Sequence, residues 1–322
     1  MSYFGGKRVV VTGAAGLLGH ALVPMLLEAG AKVRAVVRNR PLAIDHPDLE
    51  VVRADLEIQS ESDRAIAGSE IACLCASKTV GAAEAIHNPV GAVTGNLVMA
   101  ARTMESAMKA KVGRVLIVSS TTVYPAYPRA VKEEEGFLEE PHPVYQGVAN
   151  MKRYVERLAR FYADKYGMKY AIVRAVPYFG PHDNFDFATC HVIPSLIRKA
   201  VEKLAPFEVW GDGKEIRDFL HVSDVARGCL LAIEKYAETD ALNLGSGRTV
   251  TVKELAAIVT REAGHDVPLK FDPTKPSTIP VRIVDTSKAA AKIGFAPRLT
   301  LEEGLRDAIA WFRDNRARIL AA

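Results

Sequence analysis

Residues 9–22 read VVVTGAAGLLGHAL: a β-branched run ends in Gly13, further glycines follow at 16 and 19, and apolar residues then recur at helical spacing. This arrangement points to a parallel strand–helix unit. One glycine lets the chain turn sharply out of a strand. Another lets a ligand reach main-chain N–H groups at the start of a helix, where the helix dipole favours negative charge. Leu18, Leu22, Met25, Leu26 and Ala29 give that helix one apolar face. The expected ligand is the diphosphate of a dinucleotide, held by Gly13, Gly16, Leu17, Leu18 and Gly19. Glycine spacing alone also fits a plain strand–helix turn. Its place at the first strand of an alternating chain favours the dinucleotide.

Apolar runs at 7–13, 31–37, 49–56, 70–77, 114–120 and 169–176 read as six strands, with helices over 17–29, 90–109 and 145–166. The runs are continuous rather than alternating, as in strands covered on both faces. The expected fold class is α/β, with a doubly wound parallel Rossmann sheet over residues 1–176. From residue 177 proline and aromatic residues increase. Short strands are expected at 207–211, 241–245 and 281–285, with helices near 189–202, 223–236, 252–263 and 301–313. This predicts a smaller C-terminal α/β substrate-binding lobe over 177–322, with some chain crossing back.

The 322 residues allow one or two domains, and 49% hydrophobic with 25% charged residues excludes a disordered chain. A net charge of +4, with acids and bases interspersed, is too weak to indicate nucleic acid. No apolar stretch reaches the ~18 residues of a membrane span. Cys73, Cys75, Cys190 and Cys229 form no secreted-type framework and read as reduced thiols, with no metal site expected. The first residues, MSYFGGKRVVVTG, enter a strand directly, so a cytoplasmic protein is expected.

The second strand ends in VVRNR, and no Asp or Glu lies between Lys32 and Ile44. An acidic residue there would bond the adenosine ribose and favour NAD. Arg38 and Arg40 suit a 2′-phosphate instead, so NADP(H) is favoured, with NAD possible and a solvated loop the plain alternative. In ADL, Asp55 suits the adenine amino group and Leu56 its ring, or Asp55 caps a helix.

The fifth strand closes in VSSTTVYP (118–125), and a helix with Lys152 and Glu156 on one side follows in NMKRYVERLARFY (150–162). Together with GPHDNFDFATCHVIPSLIRK (180–199), VWGDGKEIRDFLHVSDVA (209–226) and FDPTKP (271–276), these stretches resemble an extended short-chain dehydrogenase/reductase acting on nucleotide sugars. That is the NAD-dependent epimerase/dehydratase family, and the branch most resembled is that of GDP-L-fucose synthases. ASKTVG (76–81) and NPVGAVTGNLVMAA (88–101) also fit, which implies cofactor contacts at Ala76 and Ser77. The resemblance implies that Ser120 hydrogen-bonds the reacting oxygen. Lys152 would bind the nicotinamide ribose and lower a tyrosine pKa. His191 would be an acid/base for epimerisation, and Arg217, Lys275 and Lys199 cations for a GDP-sugar diphosphate. Trp210, Thr121, Thr122 and Asn184 would lie near the substrate. A plain reading makes Arg217 a surface ion pair with Asp218 or Asp224, and His191 a structural residue at a helix start. The resemblance further implies a homodimer through the helices near 90–109 and 145–166.

Three positions depart from the family pattern. The tyrosine four residues before Lys152 falls on Val148, the epimerase cysteine on Thr122, and the asparagine of the aromatic-Tyr-Gly turn on Pro177. Loop 276–280 also lacks the family's Asp-Gly. Valine transfers no proton. Tyr145 lies three residues before Val148, roughly 4.5 Å lower along a helix axis. Either Tyr145 supplies the proton, or Tyr124, Tyr178 or His191 does. The expected activity is nucleotide-sugar epimerisation, reduction or dehydration through C4. The alternatives are a degenerate cofactor-binding protein and a reductase of another carbonyl substrate.

Overall fold

The protein is described by a computed structural model covering residues 2–78, 90–275 and 279–320. The β-branched runs of the first half form β1 (Arg8–Thr12), β2 (Lys32–Val37), β3 (Leu49–Arg53), β4 (Ile71–Leu74), β5 (Arg114–Ser120) and β6 (Tyr170–Ala175). Among them run α1 (Leu17–Glu28), α2 (Gln59–Ile66), α3 (Thr94–Lys109) and α4 (Gln146–Tyr166). The rest of the chain forms β7 (Tyr178–Phe179), α5 (Val192–Val201), β8 (Phe207–Trp210), β9 (Ile216–Asp218), β10 (Leu220–His221), α6 (Val222–Lys235) and β11 (Ala241–Leu244). Then follow β12 (Thr249–Thr251), α7 (Val252–Glu262), β13 (Leu269–Asp272), β14 (Val281–Arg282), α8 (Ser287–Ile293) and α9 (Leu301–Leu320).

Seven parallel strands form one sheet in the order β11-β6-β5-β4-β1-β2-β3. The order reverses at β1, which places a crevice at the carboxyl ends of β1 and β4, where open sheets of this type bind ligands. Leu22, Leu26, Val225, Cys229 and Ile233 fill one side of the sheet, from α1 and α6. Ile66, Met104, Met151, Val155 and Ala159 fill the other, from α2, α3 and α4. A third core, with Ile193, Phe207, Leu255, Ile309 and Phe312, lies in the part built by α5, α7 and α9.

Several elements differ from the sequence reading. The fourth strand ends at Leu74 rather than 77, because the Thr12 hydroxyl accepts the N–H groups of Cys75 and Ala76 at 3.0 and 3.1 Å and draws them out of the ladder. Helix α2 (QSESDRAI) has too few apolar residues to show a period. Strand β11 completes the large sheet beside β6. The run 281–285 gives only a two-residue strand and a bridge from Val284 to Val131. Helix α9 runs on to Leu320, past the expected 313.

A buried polar network ties α4 to the sheet. The Glu156 carboxylate accepts from Arg174 Nε and Nη2 at 3.0 and 2.7 Å and from Ser119 Oγ at 2.5 Å. Arg174 Nη1 reaches the Tyr124 hydroxyl at 3.0 Å and the Glu133 carbonyl at 2.7 Å, while Tyr124 donates to Asn243 Oδ1. One side of α4 is thereby anchored, and Lys152, one turn before Glu156, takes a defined position.

Candidate active site

The glycine turn lies at the crevice and has the shape a diphosphate needs. Gly13 has φ 67°, and a Cβ there would sit 2.7 Å from Ala76 Cα. A Cβ on Gly19 would sit 2.5 Å from Ala14 Cα, so helix and strand approach backbone to backbone. Gly16 begins α1 with no side-chain cap. The first-turn N–H groups, including those of Leu17 and Leu18, are therefore open to an anion.

At the ends of β2 and β3, Arg38, Asn39, Arg53, Ala54, Asp55 and Glu61 line an open cleft of 470 Å³. Arg38 and Arg40 are exposed, and Arg38 lies 3.9 Å from Glu57. The Asp55 carboxylate accepts from the Glu57 N–H at 3.0 Å, Glu61 accepts from the Asp55 N–H at 2.7 Å, and Leu56 is buried in the core. Arg53 joins Arg38 here. Its only mark in the sequence is its place at the end of a strand.

Lys152 projects toward β5, and Nζ donates to the Val118 carbonyl at 2.9 Å. Burial lowers its pKa, opposed by the charge of Glu156. Val148, one turn earlier, packs against the core beneath α4. Ser120 Oγ accepts from the Thr122 N–H at 3.2 Å, Thr121 is buried, and Thr122 Oγ1 is buried with no hydrogen-bond partner among the described residues. Ala76 is half-buried and Ser77 exposed next to the glycine turn; residues 79–81 of the same motif lie outside the described residues.

A second wall of candidate groups comes from the later part of the chain. His191 is the residue before α5 and is exposed to solvent. Burial, then the charge of Arg282, lowers its pKa. Arg217 is buried, with Nη1 on the carbonyls of Ile216 and Pro280 at 2.8 and 3.1 Å and Nη2 on that of Ile279 at 2.6 Å. The plain reading of Arg217 as a surface ion pair is therefore corrected. Asp218 instead accepts from Ser246 and Gly247, and Asp224 pairs with Arg227 at 2.8 Å. Burial and neighbouring Arg282 lower the Arg217 pKa to about 10, while Tyr145 and Glu215 oppose the shift. Tyr145 itself closes a 3₁₀ turn (Pro143–Tyr145) and lies 4.9 Å from the Arg282 guanidinium, ring centroid to carbon.

Around this wall, Lys199 Nζ donates to the Glu208 carbonyl at 2.8 Å, and Trp210 bonds Glu208 at 3.2 Å. Lys275 lies 5.9 Å from the Trp210 ring, and residues 276–278 of the adjoining loop lie outside the described residues. Asn184 is spent within its own turn, on Thr189 at 2.8 Å and the Asp186 N–H at 3.1 Å. Tyr124 is committed to the buried network, away from the crevice. Tyr178 is packed near Cys75, Cys229 and Asp183, which raises its pKa, with burial the main cause. Among the described residues no group of three His, Cys, Asp or Glu is placed to hold a metal, and no helix is long and apolar enough to cross a membrane.

Residues 9–245 match the family model described as "NAD dependent epimerase/dehydratase family". The chain belongs to this family. It is an NAD(P)-dependent enzyme of the epimerase/dehydratase type. Among similar proteins, a GDP-L-fucose synthase of Sinorhizobium fredii is 29% identical over 97% of each chain. A dTDP-4-dehydro-6-deoxy-D-allose reductase of a Streptomyces species is 30% identical over 96% of this chain and 97% of its own. A UDP-glucose 4-epimerase of Thermotoga maritima, solved with UDP-glucose, superimposes with a TM-score of 0.86 at 25% identity, over 96% of this chain and 99% of that one. The seven-stranded sheet and the glycine turn of the epimerase/dehydratase chain are the parts most legible beforehand. Arg282 and Arg53 are candidate site groups that sequence reasoning passed over.

Asp183 and its neighbour His182 are perturbed in opposite directions. Burial pushes the Asp183 carboxyl up to about 7, against the hydrogen bond from the Asn184 N–H. Burial, the stacked His20 ring at 3.7 Å and Arg318 push His182 down to about 4. A raised acid costs stability as pH rises from its unfolded value toward 7. A depressed histidine costs stability as pH falls from 6.5 toward 4. The two slopes oppose each other between pH 4 and 6.5. In Asp183→Asn, unfolding free energy relative to wild type therefore grows from pH 4 to 7, by ~2 kcal/mol after allowance for solvent. Denaturant titrations at pH 4, 5.5 and 7 check this; a pH-independent difference removes the linkage.

Proposed function

We propose that the enzyme uses NADP(H) and acts on a nucleotide-linked, preferentially GDP-linked, 4-keto sugar, by hydride transfer at C4, ring-proton exchange, or both. The observations carrying this reading are two sets of groups: the uncapped start of α1 with Lys152 on α4, and a cluster in which Arg282 neighbours Arg217, His191 and Tyr145. In this reading residues 1–176 hold the cofactor and 177–322 the nucleotide sugar, with α6 and β11 returning to the large sheet. The names of the two similar enzymes, a GDP-linked and a dTDP-4-dehydro sugar enzyme, support the substrate class.

When bound, the cofactor supplies or receives the hydride at C4. The protein does the rest. The first-turn N–H groups of α1 hold the diphosphate, and Arg38 and Arg53 face the 2′-phosphate. Ser120 donates to the sugar O4, and Tyr145 gives or takes its proton. His191, kept neutral near pH 7 by burial and Arg282, removes a ring proton acidified by the adjacent C4 carbonyl. Thr122 offers a spare hydroxyl where the family has a thiol. The exposed Tyr154, Phe161 and Tyr166 on α4 support a homodimer through that face, and sedimentation as a monomer would exclude it.

The test is turnover of GDP-, dTDP- and UDP-linked 4-keto sugars with NADPH and NADH. Binding without turnover of any of them favours a degenerate cofactor-binding protein. Within an active enzyme, Tyr145→Phe lowers hydride transfer by ~10²–10⁴. His191→Asn abolishes deuterium exchange at the ring carbons while sparing hydride transfer. Full hydride transfer in Tyr145→Phe removes the phenol from the chemistry.

A further inference from the structure

Lys152 and Tyr145 have different neighbours. Lys152 donates to the Val118 carbonyl, and the charge near it is that of Glu156. Tyr145 lies instead with the cations of the later chain. The Arg282 guanidinium carbon is 4.9 Å from its ring centroid, and Tyr145 is among the groups felt by Arg217.

Arg282 and Arg217 are register partners on the parallel strands β14 and β9, so their side chains leave the same face of that sheet. They differ in what holds them. Arg217 is fastened to three main-chain carbonyls. Arg282 Nε is buried and meets no hydrogen-bond partner among the described residues. A buried guanidinium donor without an acceptor, beside a second guanidinium, favours negative charge nearby. The other titratable groups facing this pair are Glu215, ahead of β9, and His191, at the head of α5.

We propose that Arg282 is the positioning residue of Tyr145: it holds the phenol ring in the crevice and stabilises its phenolate, the part that falls to the active-site lysine where a tyrosine stands four residues before it. The inference rests on the reading of Tyr145 as acid/base. A guanidinium over an aromatic ring is attracted by the ring's quadrupole. When the phenol gives up its proton, the nearby guanidinium attracts the phenolate charge as well. Val148 and Arg282 are then linked features: with valine at 148, the phenol comes from one turn earlier and takes its cation from β14.

The test is direct titration of Tyr145 in protein carrying [¹³C]ζ-tyrosine, the resonance being assigned by its loss in Tyr145→Phe. Arg282→Met is expected to raise the Tyr145 pKa by about one unit or more, with Arg282→Lys intermediate. The pH profile of hydride transfer moves by the same amount, and kcat falls more than KM rises. An unmoved Tyr145 titration in folded Arg282→Met protein overturns the proposal, as does a rise in KM alone, which would make Arg282 a substrate ligand. Failure of the underlying reading is separate: full turnover in Tyr145→Phe removes the acid/base role, while the resonance still reports whether Arg282 governs the phenol.

Discussion

Replacing Lys152 with methionine is expected to lower hydride transfer by ~10²–10⁴ while leaving the melting temperature close to that of wild type. Methionine conserves most of the volume and the apolar stem, so α4 keeps its packing. What is lost is a cation and the hydrogen bond it donates to the Val118 carbonyl at 2.9 Å. Stopped-flow measurement of NADPH oxidation, with a binding titration of NADPH, separates loss of affinity from loss of rate. Retention of more than a tenth of wild-type turnover would show that the reaction runs without the lysine.

Arg174→Met is expected to act on the fold, with a loss of ~3–5 kcal/mol. Arg174 and Glu156 have side chains only 3% and 5% exposed, and they meet in two hydrogen bonds. The pair itself adds modest net stability, since both ions leave water to form it. Removing one partner leaves a carboxylate buried and uncompensated, with only Ser119 to donate to it. Tyr124 and the Glu133 carbonyl also lose a donor. Urea unfolding checks the magnitude. A loss under ~1 kcal/mol would mean that Glu156 takes up a proton or that the site repacks. Because Glu156 lies one turn after Lys152, part of the activity is expected to fall with the stability.

Much of the architecture was legible because its signals are local. The continuous apolar runs of β1, β5 and β6 mark strands covered on both sides, and the helices between them make the sheet parallel. Gly13, Gly16 and Gly19 carry their meaning in their spacing. Polar α2 was missed because eight residues with few apolar positions show no period. The short strands β7, β9, β10 and β12 were missed because two or three residues cannot display alternation.

The site divides in the same way. Ser120 and Lys152 were singled out by the resemblance to the family, read on a strand end and a helix, and so was the departure at Val148. Arg282 carried no signal, since VRIVD reads as an ordinary strand. Asp183 read as a turn residue in GPHDNFD until packing surrounded its carboxyl.

The chain's own order of residues thus determined the sheet, the glycine turn, the helix that carries Lys152 and the valine four residues before it, because each depends on neighbours within a few turns or one strand. Tertiary structure alone decided that β11 completes the sheet, that Tyr124 is bound into a buried network, and that Tyr145 faces Arg282 rather than Lys152. These are contacts between segments far apart in the chain. Their energies come from burial and from charges brought close in a partly dry interior, quantities that exist only after the segments have packed.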